Sequence, residues 1–314
     1  MILLNGLSLH DIYMYICISI LNPTLVKGRT SSTFLISFWI KSPVIFRDVK
    51  KESLTNINKL MEISEEMLST LIPPVVYWVF SGIYGLLAIY LNKYRLHPKG
   101  EEEEKNSVSK ITVIKGILIQ QAMQVVIIYM ATKVRSNEGP AAAKEQQPSL
   151  PVMAVQWMIA MIVLDTWQYF IHRYIHINRF LYKHVHAVHH AQIVPYVYGA
   201  LYGHPFESFM DIIGGALAYL ISGMTTRTSI YFFSFSVIKT LDIHSGLCIP
   251  WNPLQAFFFN DCAFHDTHHQ LKGHRYNFSQ PFFISWDKIL GTYMPYTVEK
   301  RTDGGLELKL LKDA

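Results

Sequence analysis

The sequence predicts an all-α, multi-pass membrane fold with a histidine-rich domain on one side. Three observations predict it. Half of the 314 residues are hydrophobic and 16% are charged, against about 25% in an ordinary soluble domain. Several apolar runs are long enough to cross a bilayer. Twelve of the 14 histidines lie between His172 and His274. This composition excludes a disordered chain and argues against a water-soluble enzyme, as does the mean hydropathy of +0.19. The net charge of +5 is too modest to imply nucleic acid. On a membrane protein it suggests basic loops facing the cytosol and anionic lipid. Cys17, Cys248 and Cys262 contain no Cys-x-x-Cys pair, so neither a disulfide framework nor a thiolate metal cluster is expected.

Residues 1–66 read as an N-terminal extension, disordered or not native. Their apolar runs, Ile12–Leu21 and Thr33–Ile40, are too short for a hydrocarbon core of ~30 Å. Residues 67–149 read as two transmembrane helices with polar loops. The first, Leu71–Leu91, has no charged residue, and Pro73 and Pro74 are expected in its first turn, where a missing N–H costs least. Residues 97–110 form a charged loop with four consecutive glutamates, Glu101 to Glu104. Ile111–Met130 is the second span, weakened by Lys115, Gln120 and Gln121. Residues 133–149 are a linker. Residues 150–314 read as a catalytic domain that includes the third span, Leu150–Ile171, interrupted by Asp165. Ile212–Met224 and Ser229–Leu241 read as two short apolar helices, a half-membrane hairpin or a buried pair. Tyr276 to Tyr296 reads as an irregular aromatic cap.

The histidines form three groups: His172-x-x-x-His176, His186-x-x-His189-His190 and His265-x-x-His268-His269. On a helix, residues i and i+4 share a face, so His172 and His176 can point at one centre. Adjacent histidines differ by ~100° around a helix. Each His-x-x-His-His group can therefore serve two metals a few ångströms apart. Eight imidazoles are excessive for structural zinc, which takes four ligands, usually with cysteine among them. A redox-active dinuclear iron site is the better account. His244 and His204 are candidates to complete the shell, His244 the stronger. Asp165 lies seven residues before His172, two turns back on the same face. It is expected to hold the other ring nitrogen of a ligand histidine.

These motifs resemble the fatty acid hydroxylase superfamily of membrane di-iron enzymes. Within it the chain is most similar to the plant-type sphingoid base C4-hydroxylases. The stretches that carry the closer likeness include Asp165-Thr-Trp-Gln-Tyr-Phe-Ile-His, Pro195-Tyr-Val-Tyr-Gly-Ala-Leu-Tyr and Tyr276-Asn-Phe-Ser-Gln-Pro-Phe-Phe. The likeness runs from about Pro73 to Gly305. It implies that His172, His176, His186, His189, His190, His265, His268 and His269 ligate two iron ions. It departs at Ala191, where a basic residue is expected, at Gly203, where Asn is expected, and at Asp261 to Phe264.

The resemblance implies an O2-dependent monooxygenase. It would hydroxylate C4 of a sphingoid base, sphinganine or dihydroceramide, in the endoplasmic reticulum membrane with the histidines facing the cytosol. Two electrons are needed. The chain has neither a Gly-x-Gly-x-x-Gly fingerprint nor a Cys-x-x-Cys-His haem attachment. The family's donor is cytochrome b5 with its reductase, fed by NADH or NADPH. An oligomer or a complex with ceramide-synthesis enzymes belongs to the same expectation. The alternatives are a sterol C4-methyl oxidase or sterol desaturase of the superfamily, and, from other classes, a zinc-dependent membrane hydrolase or a non-catalytic scaffold.

Overall fold

Long apolar helices dominate the protein, the form in which an apolar segment satisfies its own backbone hydrogen bonds away from water. The computed structural model describes residues 65–137, 146–302 and 304–311. The expected N-terminal extension and Cys17 lie outside the described residues. Ser64 to Ala314 forms one compact unit. Its elements are α1 (Glu65–Tyr90), α2 (Glu101–Lys105), α3 (Lys110–Asn137), α4 (Leu150–Ile177), α5 (Arg179–His184), α6 (Pro205–Ser222), α7 (Thr226–Ile243), α8 (Pro253–Phe258), α9 (Cys262–His269) and α10 (Ser285–Ile289), followed by strands β1 (Tyr296–Lys300) and β2 (Leu306–Leu310). A 3-10 turn spans His186–Ala191.

Among the described residues, three helices are long and apolar enough to cross a membrane: α1, α3 from Lys110 to Ala131, and α4. With 26, 22 and 28 residues, they reach about 39, 33 and 42 Å at 1.5 Å per residue. Val75, Val79, Leu86 and Ile89 of α1 and Val155 and Ile162 of α4 are exposed. Water would not tolerate such faces; lipid does. The inner face of α1 carries Tyr77, Ser81 and Tyr84 at helical spacing, packed on α7. Pro73 and Pro74 lie inside α1 rather than in its first turn, because the helix begins earlier, at Glu65. Trp78 Nε1 donates to Gln121 Oε1 (2.8 Å) and ties α1 to α3. Gln121, which weakened the second span as a sequence, thus has a partner within the bundle.

The two short apolar stretches become α6 and α7, 18 residues each. Polar caps extend them beyond their apolar centres. Thr225 caps α7 by accepting from Thr228 N, and the αL residue Gly223 ends α6. α6 packs on α4. There Gly214 allows close approach: a Cβ at this position would stand 2.4 Å from Trp167 Cδ1. Beyond the segment read as an irregular cap, the chain forms a hairpin that the sequence reading did not foresee. β1 and β2 pair antiparallel, Tyr296 opposite Leu310 and Lys300 opposite Leu306. Leu306 and Leu308 pack against Leu96, Cys262 and Ala263, which anchors the hairpin beside α9. The Cys248 and Cys262 thiols face one another in the same cluster.

Candidate metal centre

Four segments converge on one buried volume: the C-terminal end of α4, the 3-10 turn, the end of α7, and α9. They gather nine histidines into two groups. His172, His176, His186, His190 and His268 form the first; His189, His244, His265 and His269 form the second. Within each group the ligand atoms lie within 4.8 Å of one another. All eight histidines of the three motifs are brought together, and His244 joins them. His204 lies outside both groups. It is instead the N-cap of α6, where its Nδ1 accepts from Phe206 N (3.1 Å).

The division follows the spacing. In each His-x-x-His-His motif the outer i,i+4 pair serves one group and the middle histidine the other. His186 and His190 belong to the first, with His189 in the second. His265 and His269 belong to the second, with His268 in the first. The middle motif achieves this in a 3-10 turn rather than an α-helix.

The donor chemistry tests whether a cation fits. Five Nδ1 atoms face backbone carbonyls, which only accept hydrogen bonds. His172 donates to Phe278 O (2.8 Å), His189 to Tyr202 O (2.8 Å), His268 to Tyr276 O (2.7 Å), His269 to Gln192 O (2.8 Å) and His244 to Thr240 O (2.8 Å). In the neutral tautomer their Nε2 atoms are therefore bare lone pairs. Yet Nε2 atoms crowd together: His172 and His186 at 3.0 Å, His190 at 3.2 Å from His176 and 3.1 Å from His268, and His265 at 3.0 Å from His244 and 3.1 Å from His269. His172 and His186 both spend the Nδ1 proton elsewhere, on Phe278 O and on Glu207 Oε1, so their two facing Nε2 lone pairs repel unless a cation stands between them. Bonds of about 2.1 Å to one metal, set at right angles, would put two nitrogens about 3.0 Å apart. The residues present fit two metal ions.

Burial keeps these rings in the ligating form. His189, His190, His265, His268 and His269 are all pushed below the ordinary imidazole range, first by burial and then by neighbouring histidines. His244 is pushed down to about 3 by burial and by His189. Neutral imidazole is the state that binds metal.

The outer partners are where sequence reasoning fell short. Asp165 does not touch a histidine. Its two carboxylate oxygens accept from Phe282 N (3.1 Å) and Phe283 N (2.5 Å), so it holds the aromatic cap against α4. The partner lies more than a hundred residues away, where no local spacing points. Asp287, fully buried, does similar service by accepting from Phe278 N and Ser279 N. Between them Asn277 adopts a left-handed conformation, φ 54°, which Asn tolerates better than most residues. It accepts from Met294 N (2.8 Å) and donates to Phe264 O (3.2 Å). The carbonyls on either side of it, Tyr276 and Phe278, are thereby aimed at His268 and His172.

Glu207 is the carboxylate that does hold a histidine: His186 Nδ1 donates to its Oε1. Burial would raise the Glu207 pKa, but the His186 imidazole and the His204 backbone N–H hold it down at about 2. The local signal was present in His204-Pro-Phe-Glu207, with Pro at the first helical position and Glu at the third, the pattern of a capping box. Gly203 matters here. A Cβ there would stand 3.0 Å from Glu207 Oε2, so the Asn expected from the resemblance would crowd the carboxylate. Outer-shell partners of ligating histidines are typically worth about 10- to 100-fold in metal affinity. Glu207→Gln is expected to weaken metal retention by about that factor, measured by competition with a chelator; unchanged retention would remove Glu207 from this role.

Comparison with known proteins agrees with this geometry. The fatty acid hydroxylase family model matches residues 157–292, a range that takes in all nine histidines. Sphinganine C4-monooxygenase 2 of Arabidopsis thaliana is 57% identical over 251 residues, covering 80% of this chain and 96% of that protein. Sphinganine C4-monooxygenase 1 of the same plant is 58% identical over 252 residues, with the same coverage. Very-long-chain aldehyde decarbonylase GL1-9 of Oryza sativa subsp. indica is 48% identical over 254 residues, covering 80% of this chain and 97% of that protein. No solved structure matches. With the family model spanning both histidine groups and these relatives matched along nearly their whole length, the chain belongs to the fatty acid hydroxylase family.

Proposed function

We propose that this protein is a di-iron monooxygenase that hydroxylates C4 of a sphingoid long-chain base, sphinganine or dihydroceramide. The observation that carries the reading is the pair of imidazole groups whose ring nitrogens converge within 4.8 Å in each group, with the bare Nε2 atoms of His172 and His186 facing one another at 3.0 Å. The names of the relatives at 57% and 58% identity supply the substrate class. His172, His176, His186, His190 and His268 would hold one iron, and His189, His244, His265 and His269 the other. Bound iron supplies the redox chemistry with O2 that an unactivated C–H bond requires; no acid or base side chain can break such a bond. The protein's own contribution is to fix six of the nine rings, five by backbone carbonyls and His186 by Glu207, and to exclude water from the buried site. The membrane is the endoplasmic reticulum and the histidine side faces the cytosol, where reduced nicotinamide is available.

The test uses membranes of a yeast strain lacking its own C4-hydroxylase. The protein is expressed with a cytochrome b5 supply and given labelled sphinganine, NADH and O2. O2-dependent 4-hydroxysphinganine is the expected product. Its absence from iron-loaded protein, with dihydroceramide also unchanged, would overturn the reading. The same membranes given a long-chain aldehyde would then show whether the chemistry follows the relative named for decarbonylation.

An external donor must deliver two electrons, and cytochrome b5 with its reductase is the donor we assign. The surface supports an acidic one. A pocket of about 330 Å³ opens beside His176, lined also by Arg173, Arg179, Arg275 and Phe278. A donor seated there would lie against a ligand imidazole, and cationic rims steer anionic partners. Reversing Arg179 and Arg275 to Glu is expected to raise the KM for cytochrome b5 about tenfold at low salt. Reduction by a small uncharged carrier should be unchanged. Equal loss with both donors would show that the arginines hold the site rather than the partner.

A further inference from the structure

Among the described residues, several buried polar side chains that the mechanism does not use have an atom without a partner, and Gln120 is the one that lines a groove. Gln120 is 5% exposed in the middle of α3. Its Nε2 donates to Gly203 O (2.5 Å), but its Oε1 is buried with no partner. A buried amide oxygen left unpaired is costly and stands ready to accept a hydrogen bond from something else.

Gln120 lines a groove of about 330 Å³ between α3 and α6. The other walls are almost wholly apolar, among them Met123, Ile127, Phe206, Phe209 and Ile212. Met123 and Phe209 are 43% and 46% exposed, so the groove opens sideways on the face that the membrane helices present to lipid. Its deep end approaches the metal-site histidines. Gly203, which receives the Gln120 amide, follows Tyr202, whose carbonyl holds His189. A Cβ on Gly203 would lie 3.9 Å from His189 Cβ. Glu207, which holds His186, sits between two lining residues, Phe206 and Ser208.

We infer that this groove is the lateral entrance and chain-binding site for the long-chain base, and that Gln120 Oε1 accepts a hydrogen bond from the amino or hydroxyl groups of its head. The inference rests on the function proposed above. Hydroxylation at C4 places the reacting carbon next to the polar carbons C1 to C3. The head must therefore enter first and be desolvated near the metals, while the tail trails back toward lipid. That order calls for an apolar slot with a hydrogen-bond acceptor at its inner end, and the groove has this arrangement. Gln120 is on this account a specificity residue: it sets which carbon reaches the metals.

Two measurements test it. First, a sphinganine analogue with a diazirine near the chain end is photolysed on the full-length protein in membranes. Label is expected on peptides containing Met123–Ile127 and Phe209–Ile212, displaced by sphinganine and reduced in Met123→Trp. Labelling needs neither metal nor turnover. A labelled groove in a protein that makes no C4 product would sink the reaction while supporting the chain site. Label elsewhere, untouched by Met123→Trp, would overturn the chain site. Second, Gln120→Leu and Gln120→Glu are compared. Glu keeps the acceptor and loses the bond to Gly203 O; Leu loses both. Gln120→Leu should raise the sphinganine KM at least about tenfold, the value of one lost hydrogen bond to a charged group, and spread hydroxylation beyond C4. Gln120→Glu should keep a low KM and the C4 position. Equal impairment of both, with C4 selectivity intact, would assign Gln120 only to the Gly203 contact.

Discussion

Alanine at His268 is expected to abolish hydroxylated product and strip iron from the protein while leaving it in the membrane. His268 belongs to the first group and sits 3.1 Å from His190 Nε2. Its ring is fully buried and fixed by the Tyr276 carbonyl. Removing it takes one nitrogen directly from the candidate ligand set, so the loss of metal affinity should exceed the roughly 10- to 100-fold that an outer partner contributes. Membrane insertion depends on the length and apolarity of α1, α3 and α4, none of which contains His268, so carbonate-resistant membrane association should persist. Two further variants sharpen the assignment. His244→Ala should lose iron as well, because His244 lies 3.0 Å from His265 in the second group. His204→Ala should keep its iron, because that ring caps α6. Full activity and iron in His268→Ala, or iron loss only in His204→Ala, would sink the five-and-four assignment. Iron is read by metal analysis of detergent-purified protein, independently of turnover.

The contrast between His244 and His204 shows what the sequence made legible. The three dense motifs could be read because ligand geometry is local there: i,i+3 and i,i+4 spacing within one turn decides which rings share a centre. The spans were legible for a similar reason, since lipid imposes a length and a composition. The single histidines depend on where a helix ends in space. His244 terminates α7, and only the packing of α7 on α9 brings it to His265. Asp165, Asp287 and Asn277 act through the path of the 276–294 segment, which no local spacing fixes, whereas Glu207 reaches His186 from the first turn of α6. The hairpin was missed for a different reason. Leu306-Glu-Leu-Lys-Leu alternates with period two after Gly304-Gly305, a strand signal that lies beyond the segment read as an aromatic cap.

Lys239→Met should destabilise the protein by about 3–5 kcal/mol, the usual cost of removing one partner of a buried ion pair. Lys239 and Asp242 are both fully buried on α7. The ammonium donates to Asp242 Oδ2 (3.2 Å) and to Asn260 O (2.5 Å). The other carboxylate oxygen accepts from Tyr84 OH (2.9 Å), Asn252 Nδ2 (2.6 Å) and Gln255 Nε2 (3.2 Å). One charge pair thus joins α1, the end of α7, and the segment leading into α9. Asp242 is two residues before His244, and Asn260 is five before His265, so the pair positions the entry of two histidines of the second group. Methionine matches the lysine stem in length but leaves Asp242 without its counter-charge and Asn260 O without its donor. Thermal unfolding in detergent should show the loss directly, and iron should leave at a lower temperature than in the parent. Adding Asp242→Asn removes the stranded charge while keeping an acceptor for Tyr84. The double variant should recover part of the stability, since deleting both charges of a buried pair is far less costly than deleting one. A single variant as stable as the parent, or a double variant no better than the single, would show that the charges are not what holds this junction.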